Sequence, residues 1–112
     1  MTIEQRHCVP CEGGVPALSD AELRDGMAKL PAWCVTDEGR LSRSVECNDF
    51  GEAMAKLNEI AEIAEREQHH PDLFLTDYRR LRVDVWTHAI QGLSLNDLIL
   101  AGLIDSALGR TK

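Results

Sequence analysis

One stretch of the sequence constrains the fold more than any other, because its apolar side chains recur at the spacing of a single helical face. The apolar positions are Phe50, Ala53, Met54, Leu57, Ile60, Ala61 and Ala64. The charged residues Glu52, Lys56, Glu59 and Glu62 lie between them, on the other face. Asp49 and Glu52 form a capping pair at the start, and Pro71 disfavours helical geometry at the residue before it. This pattern predicts an amphipathic helix that lies on a sheet, with its other side in water.

Two further helices are predicted at the ends of the folded region. Ser19 and Glu22 form a capping box before a short amphipathic segment that Pro31 stops. Ser94 and Asp97 repeat the pattern before a helix that continues to residue 108. This last helix is apolar almost all round, and such a helix must bury a second face. We therefore expect self-association with another copy of the chain, as a dimer or tetramer.

Strand patterns fill the intervals between the helices. Segments 32–36 and 40–45 flank a turn that contains Gly39, and segments 73–76 and 81–87 form a second pair. The order helix, two strands, helix, two strands, helix predicts an α+β domain. Its helices pack on one face of a four-stranded antiparallel sheet.

The size and charge of the chain exclude several classes of function. At 112 residues it is long enough for one domain, which we place at residues 19–112 after a flexible arm at 1–18. Twelve Lys and Arg against nineteen Asp and Glu leave a net charge of −7, a sign that repels nucleic acid. No apolar run approaches the roughly 20 residues of a membrane span. The start lacks a secretory signal, so we expect a cytoplasmic location.

The cysteines and histidines give only weak indications of a metal. His7, Cys8 and Cys11 form an H-C-x-x-C cluster in the arm. This cluster is half of a zinc site, so a structural metal and a redox pair are alternatives to the favoured interpretation, an inert arm. A zinc triad of three other histidines, at positions 69, 70 and 88, is a further alternative. We expect no metal.

A stronger constellation lies around the end of the long helix. Glu65 and His69 are four residues apart, so on a helix they share one face, where the carboxylate can orient the imidazole. His70 precedes the proline, so the two adjacent rings are expected to point in different directions. His88 follows the last strand and can join them if that strand neighbours the one after Pro71. The rings then suit acid–base catalysis, although solvent-exposed polar residues remain the alternative.

The spacing of these residues resembles the signature of the pterin-4a-carbinolamine dehydratases. The run E-x-x-x-H-H-P from Glu65 to Pro71 is followed by six residues and Tyr78, nine residues and His88, and eight residues and Asp97. The likeness covers about residues 17–108. It implies a four-stranded antiparallel sheet backed by helices, an oligomer, and dehydration of 4a-hydroxytetrahydropterin to quinonoid dihydropterin. It implies no cofactor, and a functional link to an aromatic amino acid hydroxylase.

The resemblance also implies roles for single residues. His69 and His88 are expected to act as acid and base, in an order the sequence does not assign, and His70 to position the hydroxyl or share the proton. Glu65 would orient His69 or contact the pterin, and Asp97 would support His88. Trp33 is expected to pack beside the flat ring.

The resemblance is incomplete at two positions, and it leaves two alternative functions open. Gln68 and Asn96 depart from the animal pattern, which affects the details of pterin contact. Animal relatives also serve as dimerisation cofactors of a transcription factor, so a protein-binding role is an alternative. A related pterin in molybdenum cofactor metabolism is another.

Overall fold

A computed structural model describes residues 16–109, which form three α-helices, four strands and one 3₁₀ turn. The helices are α1 (Asp20–Ala28), α2 (Phe50–Glu67) and α3 (Leu95–Leu108), and the turn is His88–Ile90. The strands are β1 (Cys34–Val35), β2 (Leu41–Glu46), β3 (Asp72–Thr76) and β4 (Arg80–Val85). The predicted α+β order is confirmed. The arm predicted at 1–18 lies mostly outside the described residues, but Leu18 packs against the core and its N–H donates to the carbonyl oxygen of Leu93 at 2.9 Å.

The four strands form one antiparallel sheet in the order β1-β2-β4-β3. Alternate residues of β4 point to opposite faces, as a strand requires. Leu81, Val83 and Val85 are buried in the same core as Ile60 of α2 and Ile104 of α3. The helices therefore cover one face of the sheet, as predicted, and the other face carries mostly polar side chains.

Helix α3 lies inside the fold and is covered largely by its own chain. It packs against α2 and β4, and Gly26 of α1 lies directly over Leu98. Of its large apolar side chains only Leu95 is exposed. The expectation that this helix needs a second copy to bury its other face is therefore wrong, because α1, α2 and the sheet together surround it.

A buried ion pair joins the sheet to α3. The guanidinium of Arg43, on β2, bonds Oδ1 of Asp105, and the indole N–H of Trp33 donates to the same oxygen at 2.7 Å. Trp33 is itself buried in the core. The Asp105 carboxylate, at the side of α3, thus accepts hydrogen bonds from both side chains, which fixes the orientation of α3 relative to the sheet.

None of the helices in the described part of the chain combines the length and the apolar character that crossing a membrane requires.

Candidate active site

The two adjacent histidines follow an abrupt end of α2. The helix ends at Glu67, and Gln68 adopts a left-handed backbone conformation with φ of 56°. This conformation reverses the direction of the chain before His69. The His69 side chain is 5% exposed, whereas that of His70 is 62% exposed. The expectation that the two rings point in different directions is therefore met, although the helix ends earlier than Pro71 alone predicts.

The buried ring of His69 bonds a buried carboxylate from the first turn of α3. His69 Nε2 lies 2.7 Å from Oδ1 of Asp97, and Asp97 is fully buried. An ionised carboxylate only accepts hydrogen bonds, so Nε2 carries the proton in this contact. A carboxylate in this position fixes the tautomer and the orientation of the imidazole. Asp97 thus contacts His69 directly, and it reaches the segment of His88 through Thr87, so its predicted support of His88 stays a prediction.

Two more donors hold the Asp97 carboxylate in place. The hydroxyl of Thr87 donates to Oδ2 at 2.7 Å, and the backbone N–H of Ser94 donates to the same oxygen at 2.8 Å. The hydroxyls of Thr87 and Ser94 are themselves 2.8 Å apart. Since the Thr87 proton is given to Asp97, the Ser94 hydroxyl donates to Thr87. All of these groups are buried.

Glu65 contacts His70 instead of His69. Its Oε2 lies 2.5 Å from Nε2 of His70, and both side chains are largely exposed. The predicted pairing of Glu65 with His69 assumes that the helix continues through His69, two residues beyond its actual end. Because α2 ends at Glu67, His69 no longer shares a helical face with Glu65, and His70 takes the contact.

His88 lies against an aromatic ring at the end of β4. The centroids of the His88 and Trp86 rings are 4.2 Å apart, and the guanidinium of Arg40 lies 4.3 Å above the Trp86 ring. Arg40 also pairs with Asp72 at 3.3 Å, two residues after His70. The segment that carries His88 is therefore linked to the segment that carries His70 through Trp86 and Arg40.

Two separate sets of contacts thus hold the histidine-bearing segments together. The buried set runs from His69 through Asp97 to Thr87, the residue before His88. The half-exposed set runs from Asp72 through Arg40 and Trp86 to His88 itself. Segments 69–72 and 86–88, which residues 73–85 separate in the sequence, are consequently fixed side by side.

The remaining predicted site residues lie elsewhere. Trp33 is in the core, where it bonds Asp105, and its contact with a flat substrate ring stays a prediction. Tyr78 is exposed in the turn between β3 and β4, with φ of 52°.

Sequence reasoning missed Arg40, Trp86 and Thr87 as parts of the site. Thr87 directly precedes His88 and Trp86 lies one residue further back, so nearness in sequence was an available signal for both. No signal in the sequence singles out Arg40.

Within residues 16–109, no group of three His, Cys, Asp or Glu side chains is arranged to hold a metal ion. The H-C-x-x-C cluster at His7, Cys8 and Cys11 lies outside the described residues.

The fold and the site together define a class of small α+β protein in which two histidine-bearing segments are joined to one buried carboxylate. The sequence profile described as "Pterin 4 alpha carbinolamine dehydratase" matches residues 16–107, which is most of the chain. The chain therefore belongs to the pterin-4a-carbinolamine dehydratase family. The predictions of this family, and of an enzyme of the hydro-lyase class, are confirmed.

Individual relatives agree with this assignment. A protein of Rubrobacter xylanophilus named as a pterin-4-alpha-carbinolamine dehydratase is 40% identical over 103 residues, which covers 92% of this chain and 95% of that protein. One of Dechloromonas aromatica with the same name is 41% identical over 106 residues, 95% of this chain and 93% of that one. A Brucella melitensis crystal structure described as a transcriptional coactivator/pterin dehydratase superposes with a TM-score of 0.78 at 27% identity. It covers 84% of this chain and 100% of its own.

Proposed function

We propose that this protein dehydrates 4a-hydroxytetrahydropterin to quinonoid dihydropterin by histidine acid–base catalysis. The reaction would regenerate tetrahydropterin after aromatic amino acid hydroxylation. The observation that carries the proposal is the Asp97 carboxylate, which bonds His69 through one oxygen and the residue before His88 through the other. Imidazoles serve this chemistry because they exchange protons near neutral pH.

The reaction requires two proton transfers. The bond between carbon 4a and its hydroxyl oxygen breaks, and the oxygen leaves as water after receiving a proton from an acid. A ring N–H gives its proton to a base, and the electron pair left behind forms the new double bond. One imidazole that starts protonated and one that starts neutral supply both transfers with no net change in the enzyme's protons.

The environments of the three rings suit different parts of this scheme. His69 and His88 remain the proposed acid and base, and His69 is the ring whose proton position Asp97 fixes. His70 is exposed and held by Glu65, so it can meet the substrate hydroxyl from the solvent side. The revised roles of the two carboxylates are therefore Asp97 orienting His69 and Glu65 orienting His70.

An assay of purified protein with 4a-hydroxytetrahydropterin tests the function. We expect loss of substrate absorbance well above the spontaneous rate, and at least ~100-fold lower turnover for His69→Ala and for His88→Ala. His7→Ala is the matched control, because His7 is the one histidine of the sequence to which no role is assigned, and the variant should keep full turnover. Spontaneous rates with wild-type protein would refute the function. Full activity of either site variant would refute the assigned roles. Related pterins tested in the same assay define which side chain the enzyme accepts.

A second candidate, protein binding, has two observations in its favour. Phe50 and Met54 lie one turn apart on α2 and are 53% and 38% exposed, and the similar Brucella melitensis protein is described as a transcriptional coactivator as well as a pterin dehydratase. We propose that self-association is the use of this face, since a second copy offers the same apolar side chains. Light scattering should show a dimer or tetramer that Phe50→Ser combined with Met54→Ser converts to a smaller species. A wild-type monomer would favour a foreign partner instead. The cytoplasmic location and the functional link to a hydroxylase stay predictions.

A further inference from the structure

The Thr87 hydroxyl joins the His88 segment to the buried Asp97–His69 pair. It donates to Oδ2 of Asp97 at 2.7 Å, while His69 Nε2 bonds Oδ1 of the same carboxylate at 2.7 Å. Thr87 is also covalently joined to His88. One hydroxyl therefore fixes both the orientation of the carboxylate and the position of the peptide that carries His88.

Burial makes this hydroxyl hard to replace. Thr87 and Asp97 are both 0% exposed, so water cannot take over the contact without rearrangement of the fold. A buried carboxylate that loses a donor keeps an unsatisfied oxygen, and it relieves this by turning toward another donor. For Asp97, such a turn changes the direction in which Oδ1 faces His69.

The second donor on Oδ2 does not substitute for the first. The Ser94 N–H is part of the backbone at the start of α3, so it holds the carboxylate to its own helix. The Ser94 hydroxyl donates to Thr87 and thereby orients the Thr87 proton toward Asp97. The contact between the Asp97 carboxylate and the His88 segment depends on the side chain of Thr87.

We propose that Thr87 is a positioning residue that, through Asp97, keeps His69 protonated at Nε2 and sets the separation of His69 from His88. The inference rests on the proposed function for its kinetic consequence, and on the contacts alone for its structural one. Ser94 assists by orienting the Thr87 hydroxyl. Thr87 has no chemical step of its own in this scheme.

Three variants test the kinetic consequence. Thr87→Val keeps the shape and removes the hydroxyl, and we expect kcat to fall at least about tenfold with KM changed less than about threefold, because substrate contacts are untouched. Thr87→Ser keeps the hydroxyl and should restore kcat to within about threefold of wild type. Ser42→Ala is the matched control: it removes another buried hydroxyl, which donates to Asp84 at 2.6 Å in the middle of the sheet, and it should leave kcat unchanged.

A double-mutant cycle separates action through Asp97 from a general loss of stability. Asp97→Asn places an amide beside His69 and should itself lower kcat strongly, since the ring loses its charged acceptor. Adding Thr87→Val to Asp97→Asn should then lower kcat by less than about twofold. If the two effects multiply, Thr87 does not act through Asp97 and the proposal is overturned.

The structural consequence is measured on the wild-type protein by nitrogen-15 NMR of the histidine rings. We expect neutral His69 to be protonated at Nε2, and a larger Nδ1-protonated fraction in Thr87→Val. A wild-type His69 protonated mainly at Nδ1 overturns the proposal. Because this measurement uses the wild-type protein, it tests the proposed tautomer even if Thr87→Val does not fold. Because it needs no substrate, it also separates failure of this inference from failure of the proposed dehydratase activity.

Discussion

Gly26 provides the sharpest test of how α1 packs on α3. A Cβ added at this position would lie 2.5 Å from Cδ1 of Leu98, 2.9 Å from Cδ2 and 3.2 Å from Cγ. Carbon atoms normally approach to about 3.5–4.0 Å. Leu98 is only 3% exposed, so it cannot turn into solvent to make room. Gly26→Ala must therefore displace α1 or force Leu98 into a strained rotamer.

Two effects of opposite sign decide the outcome of Gly26→Ala. Alanine in a helix is favoured over glycine by about 0.8–1.0 kcal/mol. Overpacking a filled core destabilises by about 1–3 kcal/mol. The overlap with Leu98 is about 1 Å at the closest atom, which places the packing effect toward the upper end of that range. We expect the free energy of unfolding to fall by about 1–2 kcal/mol, and the melting temperature by about 5–15 °C.

Gly51→Ala is the matched control for this prediction. Its added Cβ would meet only Oδ1 of Asp49 at 3.6 Å, an ordinary contact, so the helix preference of alanine acts alone. We expect stabilisation by roughly 0.5–1 kcal/mol. Thermal and urea unfolding of both variants measure the two effects. If Gly26→Ala stabilises the protein as much as Gly51→Ala does, then α1 does not pack on Leu98 as described.

Three further changes have expected outcomes. Burial, together with the nearby Glu52 carboxylate, raises the pKa of the Cys47 thiol. Because Cys34 is exposed, mass spectrometry at neutral pH should find Cys34 alkylated well before Cys47. Equal alkylation rates would contradict the burial of Cys47. Hydrogen bonds from Ser19 lower the pKa of Glu22 below 4.5, so its charged form adds stability at neutral pH that is lost as the pH falls through this lowered value. The difference in melting temperature between wild type and Glu22→Gln should accordingly shrink in acid, and a constant difference would argue against the cap. Gln68→Gly should raise the melting temperature, because glycine adopts the left-handed conformation of residue 68 without strain. An unchanged or lower melting temperature would show that contacts of the Gln68 side chain stabilise the fold by more than its backbone conformation costs.

The sequence predicts the elements of this fold better than their contacts. Helix α2 begins where Asp49 and Glu52 indicate, because an N-terminal cap is a local arrangement of neighbouring residues. The prediction of its end relies on Pro71, which restricts only the residue before it. The actual end at Gln68 uses a left-handed conformation that glutamine does not favour, so tertiary packing imposes it. The predicted Glu65–His69 pair is wrong for this reason.

Asp97 shows how one side chain combines a local role with a distant one. Its role next to Ser94 at the start of α3 is local and predictable, and the structure confirms it. Its other oxygen bonds His69, which is 28 residues away in sequence. No periodicity reports a contact at that distance, so the sequence alone does not tell which histidine the carboxylate meets.

The apolar character of α3 correctly predicts burial but does not by itself predict association. Hydrophobicity on all sides indicates that a helix is covered, but it does not tell what covers it. Here α1 supplies the additional cover, and the close approach at Gly26 makes that possible. The close approach depends on the absence of a side chain, which a search for apolar patterns does not register.

The left-handed residue at position 68 gives two chemically identical neighbours different surroundings. The His69 imidazole is buried beside the buried carboxylate of Asp97, whereas the His70 imidazole is exposed beside the exposed carboxylate of Glu65. Different environments for two equivalent groups can thus arise from a single backbone angle. Inserting one residue between that turn and the proline would shift one of the two rings out of its place, and deleting one would remove an imidazole altogether, which gives this four-residue segment little tolerance for changes in length.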